Sequence, residues 1–407
     1  MKRFKERLTV MLPLLLLLTE ASADEFKLTP SIAVRQEYND NIFFDSSREK
    51  DSMVTRVIPG LELIERTERL DLRLAGAVTP FFYWDESDLN SVDQEYSGKA
   101  IYAFTDRLSA GAEAAVRVDH QPDRDIRTTG FTYGDNRRIQ QIYGGNMGYQ
   151  FTELTSADLS YRYSREDWRS GGDEDEDLED YDSHAVTLGL NRDLGAAKGV
   201  TVGRVNAGYA RYDYDTSKTD YWFGTVGVRH RLSEIFSITA DGGARYTRSE
   251  FDVQRLAFVP PVFLTVVTES EKDSGWGGIA HAGLEYAGER TRASIDASHD
   301  VAPLSGASGV VQRSSLTFSG GHLLTEKLRL GLFTGGFLNR SDEDEFSNQK
   351  TDEAAFTVNP SLRWEIYRDI TLEAGYIFTY VDNREDNTAA SQNLGYIQIA
   401  YGLPLLE

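Results

Sequence analysis

A tight turn recurs along the chain, and it leaves room for little besides antiparallel strands. It reads Phe104-Thr105-Asp106-Arg107-Leu108, Phe151-Thr152-Glu153-Leu154, Leu232-Ser233-Glu234-Ile235, Leu324-Thr325-Glu326-Lys327-Leu328 and Tyr367-Arg368-Asp369-Ile370. Each copy follows an aromatic or aliphatic strand end and starts a new strand at once. On either side the residues alternate, the pattern of a strand with two unlike faces. Leu70, Leu72, Leu74, Gly76 and Val78 oppose Asp71, Arg73, Ala75, Ala77 and Thr79. Leu108, Ala110, Ala112, Ala114 and Val116 oppose Ser109, Gly111, Glu113, Ala115 and Arg117, and Leu372, Ala374, Tyr376 and Phe378 oppose Thr371, Glu373 and Gly375.

The opposite strand ends carry long loops, such as the acidic run from Gly171 to Asp177. Short turns at one rim and long loops at the other distinguish an outer-membrane β-barrel from a sandwich. In a sandwich the apolar face would pack on a second sheet. In a membrane barrel it faces lipid, while Arg, Glu, Ser and Gly face a wet lumen. The alternation suggests strands near 28–41, 53–65, 69–84, 94–104, 108–118, 138–151, 154–164, 182–192, 200–213, 219–232, 235–249, 274–286, 291–298, 312–323, 328–340, 353–366, 370–381 and 393–403. The expected fold is therefore all-β: a transmembrane, antiparallel, up-and-down β-barrel of about 18 strands (16–18), with short periplasmic turns and long acidic extracellular loops. Aromatics cluster at strand ends, as in Phe81-Phe82-Tyr83-Trp84 and Tyr221-Trp222-Phe223. That suits the headgroup zone, although β-propensity accounts for part of it. The phase slips in Thr201-Val202-Gly203-Arg204-Val205-Asn206-Ala207 suggest a bulge.

Residues 1–23 read as a signal peptide. Lys2, Arg3, Lys5 and Arg7 precede an apolar stretch from Leu8 to Leu18, and Ala21-Ser22-Ala23 is an A-x-A cleavage site. Residues 24–407 then form one barrel domain. The absence of cysteine excludes disulfides and thiol chemistry. The formal charge is −22; residues 1–23 hold four basic and two acidic residues, so residues 24–407 carry −24. A chain of that charge repels phosphates, so nucleic acid is not an expected partner.

The long loops fall near 119–137, 165–181, 250–273, 299–311 and 341–351. Asp173, Asp175 and Asp177 are weak candidates for a divalent metal, since carboxylate oxygens suit hard cations. They lack EF-hand spacing, and a solvated acidic face explains them as well. Loop 250–273 contains the apolar run Leu256 to Leu264 around Pro260-Pro261. It folds inward as a constriction, docks a partner, or extends the flanking strands as a hairpin.

Candidate pore-lining residues lie on the polar faces of strands: Arg73, Arg117, Arg162, Arg245, Arg292, Arg329 and Arg363, with Asp71, Glu113 and Glu373. Facing a lumen, they would set a field across it; the plainer reading is mutual neutralisation between neighbouring strands. No H-E-x-x-H or G-x-S-x-G occurs, no cofactor is expected, and His120 and His299 read as surface residues near loop mouths. The expectation is a protein that is not an enzyme. No plug domain is expected, because the first strand starts close to the cleavage site.

The first strand ends in Tyr38-Asn39-Asp40-Asn41-Ile42-Phe43. This motif, just after a signal peptide, resembles the β-barrel porin 2 family. The resemblance implies an outer-membrane location and, for some members, a part in exopolysaccharide systems. It assigns no role to Tyr38, Asn39, Asp40 or Asn41, although an Asn-Asp-Asn sequence suits a turn or a rim contact. Together the residues and the resemblance suggest a pore for small hydrophilic solutes or for polysaccharide export, with aromatic rings stacking on sugar faces. Its expected partners are outer-membrane lipid, lipopolysaccharide, polysaccharide and an export apparatus. The alternative is a barrel that anchors polymer or partners through its acidic loops without conducting.

Overall fold

Strands that are apolar on one face and ionic on the other leave no free edge once the sheet closes into a ring. The computed structural model describes residues 25–46, 49–120, 136–169, 178–195, 200–259, 263–342, 345–347, 350–385 and 387–405. The proposed signal peptide, 1–23, lies outside them, as do Asp173, Asp175 and Asp177.

The described residues form an 18-stranded antiparallel sheet. Its strands are β1 (Glu25–Asn39), β2 (Ser52–Arg66), β3 (Leu70–Tyr83), β4 (Ser91–Ala103), β5 (Leu108–Asp119), β6 (Arg137–Thr152), β7 (Thr155–Arg169), β8 (Tyr181–Asp193), β9 (Thr201–Tyr214), β10 (Ser217–Arg231), β11 (Phe236–Val259), β12 (Phe263–Ala287), β13 (Thr291–Pro303), β14 (Val310–Leu323), β15 (Leu328–Ser341), β16 (Thr351–Tyr367), β17 (Ile370–Asn383) and β18 (Thr388–Gly402). Each strand pairs with the next in sequence. β1 also pairs with β18, from Ser31↔Gly402 to Asn39↔Leu394, which closes the ring.

Five turns of the short-turn rim share one device. The hydroxyl of Thr67, Thr105, Ser233 or Thr325 accepts hydrogen bonds from backbone N–H groups two and three residues on, and Thr152 accepts from Leu154 N. A local side-chain acceptor satisfies backbone donors that a two-to-four-residue turn would otherwise leave exposed.

The outer face carries Ile32, Val34, Leu61, Val205, Val226, Leu316 and Ile397, each from 42% to 67% exposed. A closed ring with this exterior satisfies its backbone internally and presents hydrocarbon to its surroundings. Aromatic contacts band the exterior at two levels. Tyr209, Trp222, Tyr246 and Trp276 form a ladder across β9–β12, with ring centroids 5.2–5.8 Å apart. Nearer the turns sit the pairs Tyr102–Phe104, Tyr149–Phe151 and Phe236–Tyr286. Closure, exterior and rim asymmetry place the chain in an outer membrane.

Two expectations change. The stretch 250–273 is largely strand: β11 and β12 stay paired up to Val259↔Phe263. Extension of the flanking strands is thus the outcome among the described residues; 260–262 lie outside them. The phase slip at Thr201–Ala207 is no bulge, because β9 keeps one register with both neighbours. Val202 and Arg204 face inward together, so a lone apolar residue on the wet face produced the apparent slip. Register shifts occur instead beside turns, at Gln150/Thr152 and Glu365/Tyr367.

Candidate functional site: a charged lumen narrowed by inserted loops

Cross-strand register carries one face around the ring, and the arginines singled out from sequence all fall on its lumen side. Asp71, Glu113 and Glu373 lie on that side too. Several are paired. Arg117 lies 2.9 Å from Glu95, Arg162 2.7 Å from Glu113, Arg363 2.6 Å from Glu373 and Arg73 3.4 Å from Glu62, while Asp71 lies 3.6 Å from Arg66. Arg245, Arg292 and Arg329 have no ion pair among the described residues. Arg245 is 2% exposed and lies over the Phe346 ring at 5.8 Å. Gly277 makes room for it: a Cβ there would stand 2.6 Å from the guanidinium carbon.

The lumen is not an empty tube. Three loops of the long-loop rim fold into it. Between β1 and β2, Ile42 packs on Val54, Phe81, Tyr83 and Leu89, whereas Phe44 packs on Phe337, Ala355 and Val381. Between β13 and β14, Leu304 to Gly309 reaches strands three to seven places from β13 round the ring. The Tyr214 hydroxyl donates to Leu304 O at 3.0 Å, Arg138 Nη1 donates to Ser305 Oγ at 3.2 Å, and the Ser308 hydroxyl donates to Ser217 Oγ at 3.0 Å. Ser305 also donates to Glu166. From the loop after β15, Phe346 joins Val301 and Val310 against Tyr181, Ala210, Tyr214 and Tyr221. Three inward tyrosines, Tyr181, Tyr214 and Tyr221, therefore pack against the chain's own loops.

The sequence motif in the first strand builds the first of these inserts. Asn39 Oδ1 accepts from Asn41 N at 2.9 Å. The Asn41 amide donates to Asp45 O at 2.9 Å and to Ser391 O at 3.0 Å, while its Oδ1 accepts from Asp45 N. Asp40 accepts from both nitrogens of Asn393 on β18. Tyr38 points outward, its hydroxyl on Asp51. This network holds Phe44 at φ 55°, a conformation that bulky residues rarely adopt.

Beside the inserts lies a chamber of about 790 Å³. Sequence reasoning placed Arg117 on its wall but missed Arg35, Arg56, Arg138 and Arg313, together with Asp93, Glu95, Asp119 and Glu166. Alternation alone puts each on the inward face; nothing in the sequence showed which level the inserts leave open. Arg35 and Arg56 clamp Glu37, which is 2% exposed, and lie over the rings of Tyr396 and Phe81 at 3.7 and 4.4 Å. Arg138 lies 2.9 Å from Asp119 and 3.6 Å from Glu166. His120 is no loose surface residue, since its Nδ1 lies 3.1 Å from Asp93; His299 pairs with Ser314 on β14. Outside the strands, burial raises the carboxyl pKa of Asp180, although Trp168 N donates to it at 2.6 Å.

No family model matches the chain, and no curated protein matches it. Among solved structures it is similar to OccAB4 from Acinetobacter baumannii (TM-score 0.47, 10% identity, 94% of this chain and 99% of that one). It is also similar to the ferric-catecholate import receptor Fiu from E. coli K12 (0.48, 8%, 92% and 81%) and to the siderophore receptor PirA from Pseudomonas aeruginosa (0.44, 12%, 93% and 80%). By its own closure and exterior, the chain is an outer-membrane β-barrel.

Proposed function

We propose that the barrel is a non-enzymatic outer-membrane pore that passes small hydrophilic solutes or assists the export of an extracellular polysaccharide. One observation carries the pore reading: a chamber of about 790 Å³, walled by arginines and carboxylates, inside a ring whose exterior is hydrocarbon. Such a lumen replaces the hydration shell of a polar solute with fixed charges and dipoles. The export role rests on the resemblance of the Tyr38–Asn41 motif alone. A non-conducting barrel that holds polymer or partners at its loops is the second reading, and the three inserts favour it.

Planar-bilayer recording separates the two. Conductance steps from the purified barrel, enlarged when Leu304–Gly309 is replaced by a short Gly-Ser turn, support the pore; a silent barrel in both forms supports the anchor. Deleting the gene tests export, and an unchanged amount of secreted polymer sinks that role.

A further inference from the structure

Inward aromatics on the strands are mostly covered. Phe81, Tyr181, Tyr214, Tyr221, Phe337 and Tyr396 are each 2–8% exposed, while Tyr212 and Phe223 pack against the Phe346 cluster. Phe333 on β15 is the exception. Alternation groups it with Asn339, whose Oδ1 accepts from Arg313 inside the lumen, and opposes it to Leu332 and Leu338 on the exterior. At 37% it is the most open aromatic on an inward strand position among the described residues.

Its surroundings hold the ring against the wall and leave space in front of it. Register sets Phe333 between Ser319 on β14 and Asn359 on β16, and Gly335 between Thr317 and Thr357. A Cβ on Gly335 would stand 3.3 Å from Phe333 Cζ and 3.1 Å from Thr317 Cγ2. The ring therefore lies along its strand, with its tip over a glycine, instead of reaching across the lumen. Phe333, Gly335, Ser315, Thr317 and Thr357 line a cavity of about 200 Å³. Arg313 lines both this cavity and the 790 Å³ chamber, so the two adjoin.

An aromatic ring edged by hydroxyls offers two chemistries side by side. The face of the ring is electron-rich and attracts polarised C–H groups. Hydroxyls and a side-chain amide both donate and accept hydrogen bonds. A pyranose ring answers both, with C–H groups on its face and hydroxyls around its edge. A bare ion makes no use of the phenyl ring, and an apolar solute leaves the hydroxyls unanswered. The cavity is smaller than the roughly 300–1,000 Å³ of a complete small-molecule site. It suits one ring of a longer chain that continues into the chamber.

We propose that Phe333 is a stacking platform for one pyranose ring of an oligosaccharide or polysaccharide in the lumen, with Thr317, Thr357 and Asn359 as its hydrogen-bonding neighbours. The proposal rests on the pore reading in taking this wall as lumen, and it names the solute class and the residue that holds it.

The test is equilibrium binding to the full barrel in detergent, measured by titration calorimetry. Cellotriose is the probe, and sorbitol is the open-chain polyol that has the hydroxyls without the ring. Cellotriose is expected to bind at least about tenfold more tightly than sorbitol. Phe333→Ala is expected to lose at least about tenfold in affinity for cellotriose, and Phe333→Leu, which keeps apolar bulk without a ring face, to lose nearly as much. Phe333→Trp is expected to bind as tightly as the parent or more tightly. Saturation-transfer NMR on the same samples is expected to mark the sugar C–H protons with the parent and not with Phe333→Ala. Equal affinity of the parent for cellotriose and sorbitol, or no binding of cellotriose at all, overturns the proposal without needing any variant. Equal affinity of the parent and a folded Phe333→Ala overturns it too. Sugar binding by a barrel that never conducts sinks the pore reading and leaves the platform standing. A conducting barrel indifferent to Phe333→Ala keeps the pore and removes the platform.

Discussion

The side-chain amide of Asn41 donates to the main-chain carbonyl of Ser391 at 3.0 Å, across 350 positions of sequence. The bond ties the first insert to the last strand at the place where the ring closes. Asn41 is 1% exposed, and its amide also serves Asp45. Substituting Ala leaves buried backbone groups without their side-chain partner, at a cost of about 1–3 kcal/mol. Asn41→Ala is expected to lower the unfolding midpoint in detergent and to increase single-channel conductance, because Ile42 and Phe44 lose their tether. Unchanged conductance in a demonstrably folded variant would show that the insert is held by its apolar contacts alone.

Gly243 on β11 faces Gly224 on β10 closely enough that a Cβ would stand 2.0 Å from the Gly224 carbonyl oxygen and 2.8 Å from Thr225 Cα. Both obstacles are backbone, so no rotamer change relieves them. Gly243→Ala is expected to destabilise the barrel by about 1–3 kcal/mol and to slow its assembly, read as loss of the heat-modifiable band on cold gels. Gly278→Ala is the control: nothing lies within 4 Å of its Cβ position, so its band should match the parent.

Strand number and order were legible because alternation is local, and each period-2 segment announces its own faces. The arginines from Arg73 to Arg363 were placed on the inner face by the same rule. What the sequence hid was which of them meet. Arg138, Asp119 and Glu166 sit at strand ends beside long loops, and Ser305 comes to them from β13 by a turn with no periodic signal. Phe346 follows the acidic run Asp342 to Glu345 in sequence, and nothing local says that it is 1% exposed. Inward folding of loops is a tertiary choice, made by apolar surface on the far wall. The Tyr38–Asn41 motif was visible as a sequence, but its partners on β18 are fixed only by ring closure.

Asp180 gives a pH dependence with a definite sign. Burial raises its pKa above the ordinary carboxylate value of about 3.9, and it outweighs the hydrogen bond from Trp168 N that lowers it. The folded state therefore holds the proton more tightly than the unfolded state does. Its contribution is present in full below the unfolded pKa and is lost as pH rises through the folded one. Stability of the parent relative to Asp180→Asn is thus expected to fall from acid toward neutral pH, measured by chemical unfolding followed at Trp168. A flat difference across that range contradicts the assignment.

Arg138 is the cation between two buried carboxylates: Asp119 is 5% exposed and Glu166 1%. Replacing it with Met keeps much of the volume but removes a cation that both buried carboxylates share. Breaking a buried charge arrangement in this way costs on the order of 3–5 kcal/mol. It also removes the donor to Ser305 Oγ, so the β13–β14 insert loosens with it. Arg138→Met is expected to lose stability and to show frequent, brief openings in bilayer recordings. Adding Glu166→Gln removes one of those carboxylate charges and is expected to restore much of the stability, but not the quiet baseline, because Ser305 still lacks the guanidinium. If the double variant recovers both, the insert is held by charge balance rather than by the Arg138–Ser305 bond.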